Sequence, residues 1–279
     1  MYQRSFMKWA GNKYGVLDKL LDTLPPSTKL IEPFLGSGSV FLNTGHKKYI
    51  LNDANPDLIN VFRCLKEDPT NFIRELKFLF NDKLNCSSAY YRLRSDFNST
   101  QDSFYKTLLF VYLNRHGYQG LCRYSKSTGF NVPYGHYKSV HFPEEEMVAA
   151  ALKVKRAKLM SENYSQAFRR ARAGDVIYCD PPYFSLSKTA NFTNYTAGGF
   201  CNGQQLKLAK LAEQARERGV HVVISNHDTP IARNVYTNAS NIISLDVRRS
   251  INSKSSKKKS SSEIIVSYTP TIDYQNTRL

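Results

Sequence analysis

Val176-Ile177-Tyr178-Cys179 is an apolar run of strand length, and Asp180-Pro181-Pro182-Tyr183 follows it at once. Proline cannot continue a central strand, so the strand must stop there. A carboxylate, two rigid residues and an aromatic ring are thereby placed at a strand's carboxyl end. In open α/β sheets that edge is where ligands bind. Two further runs have the same form. Leu30-Ile31-Glu32-Pro33-Phe34 leads into Leu35-Gly36-Ser37-Gly38-Ser39 and then a helical stretch, and Tyr49–Asn52 ends in Asp53. Strand-helix alternation resumes after residue 175, with Val220–Ser225 as a further strand and two more at about 241–248 and 263–269. Such alternation predicts an α/β fold with a mostly parallel sheet.

Between these parts the pattern is helical. Asn55-Pro56 is a helix start, with Asn as the cap and Pro in the first turn. Apolar stripes follow at Leu58/Ile59/Phe62/Leu65, Phe72/Ile73/Leu76/Leu79, around Tyr90/Tyr91, and at Phe104/Leu108/Leu109/Tyr112. Gly117 is read as the stop of the last of these. Lys126-Ser127-Thr128-Gly129 is the turn of a hairpin. The expected division is a sheet domain from 1–56 and 144–279, with a helical insertion over 57–143 carrying a hairpin at about 118–138.

The 39 Lys and Arg outnumber the 23 Asp and Glu, a formal charge of +16. That excess points to a nucleic-acid partner. No apolar run reaches the ~20 residues of a membrane span, and no secretory leader is visible, so a cytoplasmic, nucleoid-associated protein is expected. Five cysteines without a CxxC pair, and histidines without metal-ligand spacing, suggest neither a disulfide frame nor a metal. Cys179 reads as a small apolar strand residue. No Pro-Cys dipeptide is present to supply the nucleophile used by cytosine carbon-5 methyltransferases. The tract from Arg248 to Lys259, with six bases and no acid, is either a solvated face or a phosphate contact.

The chemistry follows from residue types. Gly36-Ser37-Gly38 lets a ligand approach the backbone, without the full dinucleotide or phosphate-loop pattern. Asp53 is suited to accept from ribose hydroxyls, or simply to serve the adjoining helix start. An exocyclic amine on a nucleobase is a weak nucleophile because its lone pair is delocalised. The Asp180 carboxylate and the Pro181 carbonyl offer two acceptors for its N–H bonds. Tyr183 offers a face on which a flipped base can stack.

Phe34-Leu-Gly-Ser-Gly followed by Asp180-Pro-Pro-Tyr183 resembles the DNA amino-methyltransferases of the alpha group. Five further segments resemble the bacterial Dam-type adenine methyltransferases, which act at GATC. They are Lys8–Lys13, Leu113–Tyr124, Phe130–Gly135, Ala190–Thr193 and Ser225–Thr229. The resemblance implies a class I, Rossmann-like methyltransferase sheet with an inserted DNA-recognition domain. It implies S-adenosylmethionine as donor, touched by Trp9, Lys13, Phe34, Gly36, Asp53 and Asp180. It implies double-stranded DNA as partner, touched by Lys8, Tyr118, Leu121, Arg123, Pro133 and Tyr137. Arg123 would read a guanine, Tyr118 would wedge near the extruded adenine, and Asp180, Pro181 and Tyr183 would be catalytic. No metal is expected, and a monomer is. Outside the resemblance, a lone Trp such as Trp9 is more often a core anchor, and the plainer reading of the hairpin is a solvated basic loop. Two positions depart from the family pattern: Asn12 where many relatives have Gly, and Gln119 where they have an Asn near the flipped-base gap. The alternatives are a silent DNA-binding regulator on the same fold, or a cytosine N4 methyltransferase.

Overall fold

A computed structural model describes residues 2–184, 200–247 and 261–271. Residues 190–193 and the basic tract at 248–259 lie outside that range. In chain order the elements are α1 (Leu17–Leu21), β1 (Lys29–Glu32), α2 (Ser39–Asn43), β2 (Lys48–Asn52), α3 (Pro56–Glu67), α4 (Pro69–Lys77), α5 (Ser87–Ser99) and α6 (Ser103–His116). There follow β3 (Tyr124–Ser125), β4 (Gly129–Phe130), α7 (Glu144–Val154), β5 (Ala157–Met160), α8 (Tyr164–Arg169) and β6 (Val176–Cys179). The last are α9 (Asn202–Glu217), β7 (His221–His227), α10 (Pro230–Val235), β8 (Asn241–Val247) and β9 (Ser261–Tyr268). Two compact units result. The first is Met1–Lys13, Gly36–Thr44 and Asp53–Ser161; the second is Tyr14–Leu35, Gly45–Asn52 and Glu162–Leu279.

The second unit holds strands in the order β2-β1-β6-β7-β9-β8. The first four are parallel; β9 and β8 join antiparallel. The sheet interior is a run of fully buried aliphatic residues, Leu30, Ile31, Val176, Ile177, Val222, Val223 and Ile224. That is the pattern expected of strands covered on both faces. β1 has β2 on one side and β6 on the other, so the winding reverses at β1. The crevice at such a reversal lies outside the carboxyl ends of the strands. Ile31 pairs with Ile177. Extending that register brings Phe34 level with Asp180.

The first unit is helical apart from short strands. Asn55 caps α3, its side chain accepting from Asp57 and Leu58 N–H groups, with Pro56 in the first turn. Asp68 with Pro69 repeats the device on α4, and Asp102 caps α6. The sequence pattern gave α6 a single stripe. The structure instead buries every residue from Thr107 to Asn114, as expected for a helix apolar all round. Gly117 does end α6, its N–H donating to the Leu113 carbonyl at 2.8 Å. Its φ of −72° is open to any residue. Space is what requires glycine, because an added Cβ would lie 2.5 Å from the Leu113 oxygen. Residues 157–170, unassigned from sequence, hold β5 and α8.

Candidate active site and DNA-facing loop

The turn after β1 is built by Asn52 at the end of β2. Its backbone carbonyl accepts from Leu35 N–H at 2.8 Å. Its buried side-chain amide donates to the carbonyls of Pro33 (2.9 Å) and Glu162 (3.0 Å), and its oxygen accepts from Glu162 N–H. Phe34 is thus held at the sheet edge, stacked on Tyr164 with centroids 5.2 Å apart and edge-on to Phe200 at 5.5 Å. Sequence reading singled out Phe34 but missed Tyr164 and Phe200. Each is a lone aromatic with no periodic signal of its own.

In the same unit Asp180 follows the fully buried Cys179. Burial pushes the Cys179 thiol far up, helped by the carboxylates of Asp180 and Glu32. A thiol held protonated in this way is a poor nucleophile, in keeping with its reading as an apolar strand residue. Glu32, itself buried, was not singled out by sequence reading. Pro181 is buried. Tyr183 donates its hydroxyl to Glu263 Oε2 at 3.1 Å, and its ring meets His227 edge-on at 4.7 Å. β7 and β9 pair His227 with Glu263, so one cross-strand pair holds the ring from two sides. Burial, then the Asp180 charge, drives the Tyr183 phenol well above its ordinary range. His227-Asp228 is a structural turn: Asp228 receives Arg233 through two bonds, of 2.6 and 2.8 Å.

In the first unit Trp9, Gly36 and Asp53 come together. Gly36 has φ +50°, and an added Cβ would stand 3.0 Å from Trp9 Nε1. Its N–H donates to Asp53 Oδ2 at 3.0 Å, while Asp53 Oδ1 accepts from Asn55 N–H at 3.0 Å. Burial raises the Asp53 carboxyl, against the pull of these two donors. Asp53 therefore does serve the helix start, with lone pairs left over on a carboxylate that accepts about four bonds. Lys13 is buried, with Nζ donating to the Gly11 carbonyl at 2.7 Å. A glycine cradle closed by an indole and a carboxylate suits an adenosyl donor with ribose hydroxyls.

The hairpin and the loop before it also belong to the first unit. Tyr118 N–H donates to the Pro133 carbonyl at 2.8 Å, and Gly117 bridges to Tyr134. Tyr118 is exposed, nearly half of the residue being uncovered. Gln119 adopts φ +53° and donates its N–H to the Tyr137 hydroxyl at 2.9 Å. Lys8 Nζ stands 3.8 Å from the Tyr137 ring centroid. Arg123 is braced by Asn131, Nε donating to Oδ1 at 2.7 Å and Nη2 to its carbonyl at 3.1 Å. Leu121 is half-buried and Pro133 exposed. Two anchors escaped sequence reading. Asn98 clamps Thr128 and Phe130 across the hairpin, and Tyr124 donates to Asp57 at 2.6 Å.

A parallel sheet reversing at β1, with a glycine turn beyond it and an acid-Pro-Pro-Tyr edge on β6, defines a Rossmann-like methyltransferase. The family model for D12 class N6 adenine-specific DNA methyltransferases matches residues 9–251, and the chain belongs to that family. It is 44% identical over 275 residues to a DNA adenine methylase of Vibrio cholerae, covering 98% of this chain and 99% of that one. It is 45% identical over 267 residues to the DNA adenine methylase of Escherichia coli K12, covering 96% of each. With the DNA adenine methylase of Serratia marcescens the identity is 48% over 237 residues, 85% of this chain and 88% of that one.

Among the described residues no helix is long and apolar enough to cross a membrane. Among them, too, no group of three or more His, Cys, Asp and Glu is arranged to hold a metal.

Proposed function

We propose that this enzyme methylates the N6 amine of a flipped adenine in GATC sites of duplex DNA. It would do so without a metal, as a monomer in the bacterial cytoplasm at the nucleoid. The observation that carries the reading is the Asp180–Tyr183 edge, where two acceptors and a braced ring follow a buried strand. Bound S-adenosylmethionine supplies a methyl group on a positively charged sulfur. Asp180 accepts one N–H of the amine and the Pro181 carbonyl accepts the other. The nitrogen lone pair is thereby drawn out of conjugation with the ring. Such acceptors act most strongly where charge develops in the transition state. Tyr183 stacks on the base. Its phenol is pushed up out of the ionising range, so it acts as a neutral surface rather than as a base. The amine's extra proton passes to solvent.

Trp9, Lys13, Gly36 and Asp53 serve the donor, as do Phe34 and Asp180. The Trp9–Gly36–Asp53 cluster supports this, because Asp53 keeps lone pairs for ribose hydroxyls. Residues 57–143 form the DNA-recognition part of the chain, and 1–56 with 144–279 the catalytic part. Asn131 occupies the Nε side of Arg123, so the outer Nη edge is the one that would face guanine O6 and N7. Tyr118 wedges into the stack. Lys8 and Tyr137 meet the outer base pair and backbone, and Leu121 and Pro133 give apolar contacts.

Labelled methyl donor and three duplexes test the reading: GATC, a scrambled site, and GATC already N6-methylated on both strands. Label should enter the first alone. Equal labelling of the scrambled duplex would remove the specificity. Asp180→Ala should abolish transfer while GATC binding stays close to wild type. Near-normal turnover in that variant would refute the assigned chemistry.

A further inference from the structure

A buried polar knot lies behind the acid-Pro-Pro-Tyr edge; only its Asn226 falls in a segment that resembles the family, and sequence reading gave none of its members a role. Gln205 on α9 is 1% exposed, and Asn226 on β7 and Tyr236 after α10 are 0% exposed. Gln205 Nε2 donates to the Pro182 carbonyl at 2.8 Å. Its Oε1 accepts from the Tyr236 hydroxyl at 2.9 Å and from Asn226 Nδ2 at 3.2 Å. Asn226 Oδ1 accepts from Phe184 N–H at 3.1 Å. The Phe184 carbonyl faces His227 Nδ1 at 2.7 Å. A carbonyl only accepts, so that ring nitrogen donates.

The peptide groups on either side of Tyr183 are therefore fixed by side chains from α9 and β7. The other buried residues of α9 include Leu208, Ala209, Ala212 and Ala215. A glutamine on such a face is costly to bury unless each of its polar atoms is matched. Here both are matched, and the one N–H aimed outside the knot goes to Pro182.

We propose that Gln205, seconded by Asn226, is a positioning residue for methyl transfer. Gln205 fixes the Pro182 carbonyl and Asn226 the Phe184 N–H. The Pro181 carbonyl and the Tyr183 ring then keep the spacing that one flipped amine requires. Gln205 acts through Pro182 and touches no reacting atom. The inference rests on the assignment of Asp180–Tyr183 as the transfer site.

The test uses the full-length chain carrying Gln205→Met. The unbranched thioether keeps the length of the side chain but has no donor for the Pro182 carbonyl. Two quantities are compared with wild type and with Asp180→Ala. One is the single-turnover rate and KM on a GATC duplex. The other is the fluorescence of 2-aminopurine placed at the target adenine, read without donor. Displacing a reacting group by a fraction of an ångström to an ångström costs about tenfold to a hundredfold in rate. That loss is expected in the single-turnover rate, with KM for the duplex nearly unchanged and a smaller 2-aminopurine signal. A folded Gln205→Met enzyme at the wild-type rate, beside an inactive Asp180→Ala, would overturn the positioning role. An active Asp180→Ala would instead remove the site assignment and this inference with it. If Gln205→Met does not fold at the assay temperature, Asn226→Asp is read by the same criteria. It keeps the acceptor for Phe184 and loses the donor to Gln205.

Discussion

Raising the pH should weaken DNA binding through one side chain. Lys8 is anchored by Asn114, which accepts its N–H at 2.9 Å and donates to its carbonyl at 2.7 Å. Gly120, at φ +64°, packs so closely that an added Cβ would stand 2.2 Å from Lys8 Cβ. The ammonium donates to the Arg115 carbonyl at 2.8 Å and lies over the Tyr137 ring. Partial burial, and then the positive charge of Arg115, lowers its pKa to about 8. The sign follows from linkage. Below pH 7 the free protein carries the charge, and above 8 it progressively loses it. A DNA acceptor favours the charged form, so binding above pH 8 must take up a proton. At pH 9 about one Lys8 in eleven remains charged, which weakens binding about tenfold relative to pH 7 if only the charged form binds. Fluorescence anisotropy on a GATC duplex at constant ionic strength measures this. Lys8→Gln should bind more weakly at pH 7 and lose the slope. The thiols of half-buried Cys86 and exposed Cys201, both shifted downward, are present in both proteins and cancel in the comparison. The same slope in wild type and Lys8→Gln would refute the argument.

Two stability changes follow from the backbone and the buried amides. Gln119→Asn should raise stability by about 0.5–1 kcal/mol, because Asn tolerates the left-handed conformation that costs most L residues about 1–2 kcal/mol; a lower urea midpoint would count against this. Asn52→Leu strands the Pro33 and Glu162 backbone groups and should cost about 3 kcal/mol or more. A loss under about 1 kcal/mol in the same assay would show that water or relaxation replaces those bonds.

Much of the fold was legible because its signals are local. Asn55-Pro56 caps and opens α3 wherever α3 packs, and the strand at Val176–Cys179 must end at two prolines. The Asp180–Tyr183 edge, the glycine turn and the hairpin turn were likewise readable, since short-range geometry demands those residue types. Within the insertion, helical spacing located the four helices but not the all-round burial of α6, because periodicity shows which residues are apolar and not how many neighbours surround them. Residues 157–170 carry too short a pattern to read.

The sequence alone determined the chemistry at the edge of β6, because a carboxylate, a carbonyl without a competing N–H and an aromatic face are properties of residue type. Only the tertiary structure decided what holds that edge in place. Gln205 meets Pro182 across 23 residues, Tyr183 meets Glu263 across 80, and Asn52 meets Glu162 across 110. A buried amide is indistinguishable from a surface one until its partner is known. Partners at such separations are chosen by sheet order and register, which bring β1, β6, β7 and β9 side by side.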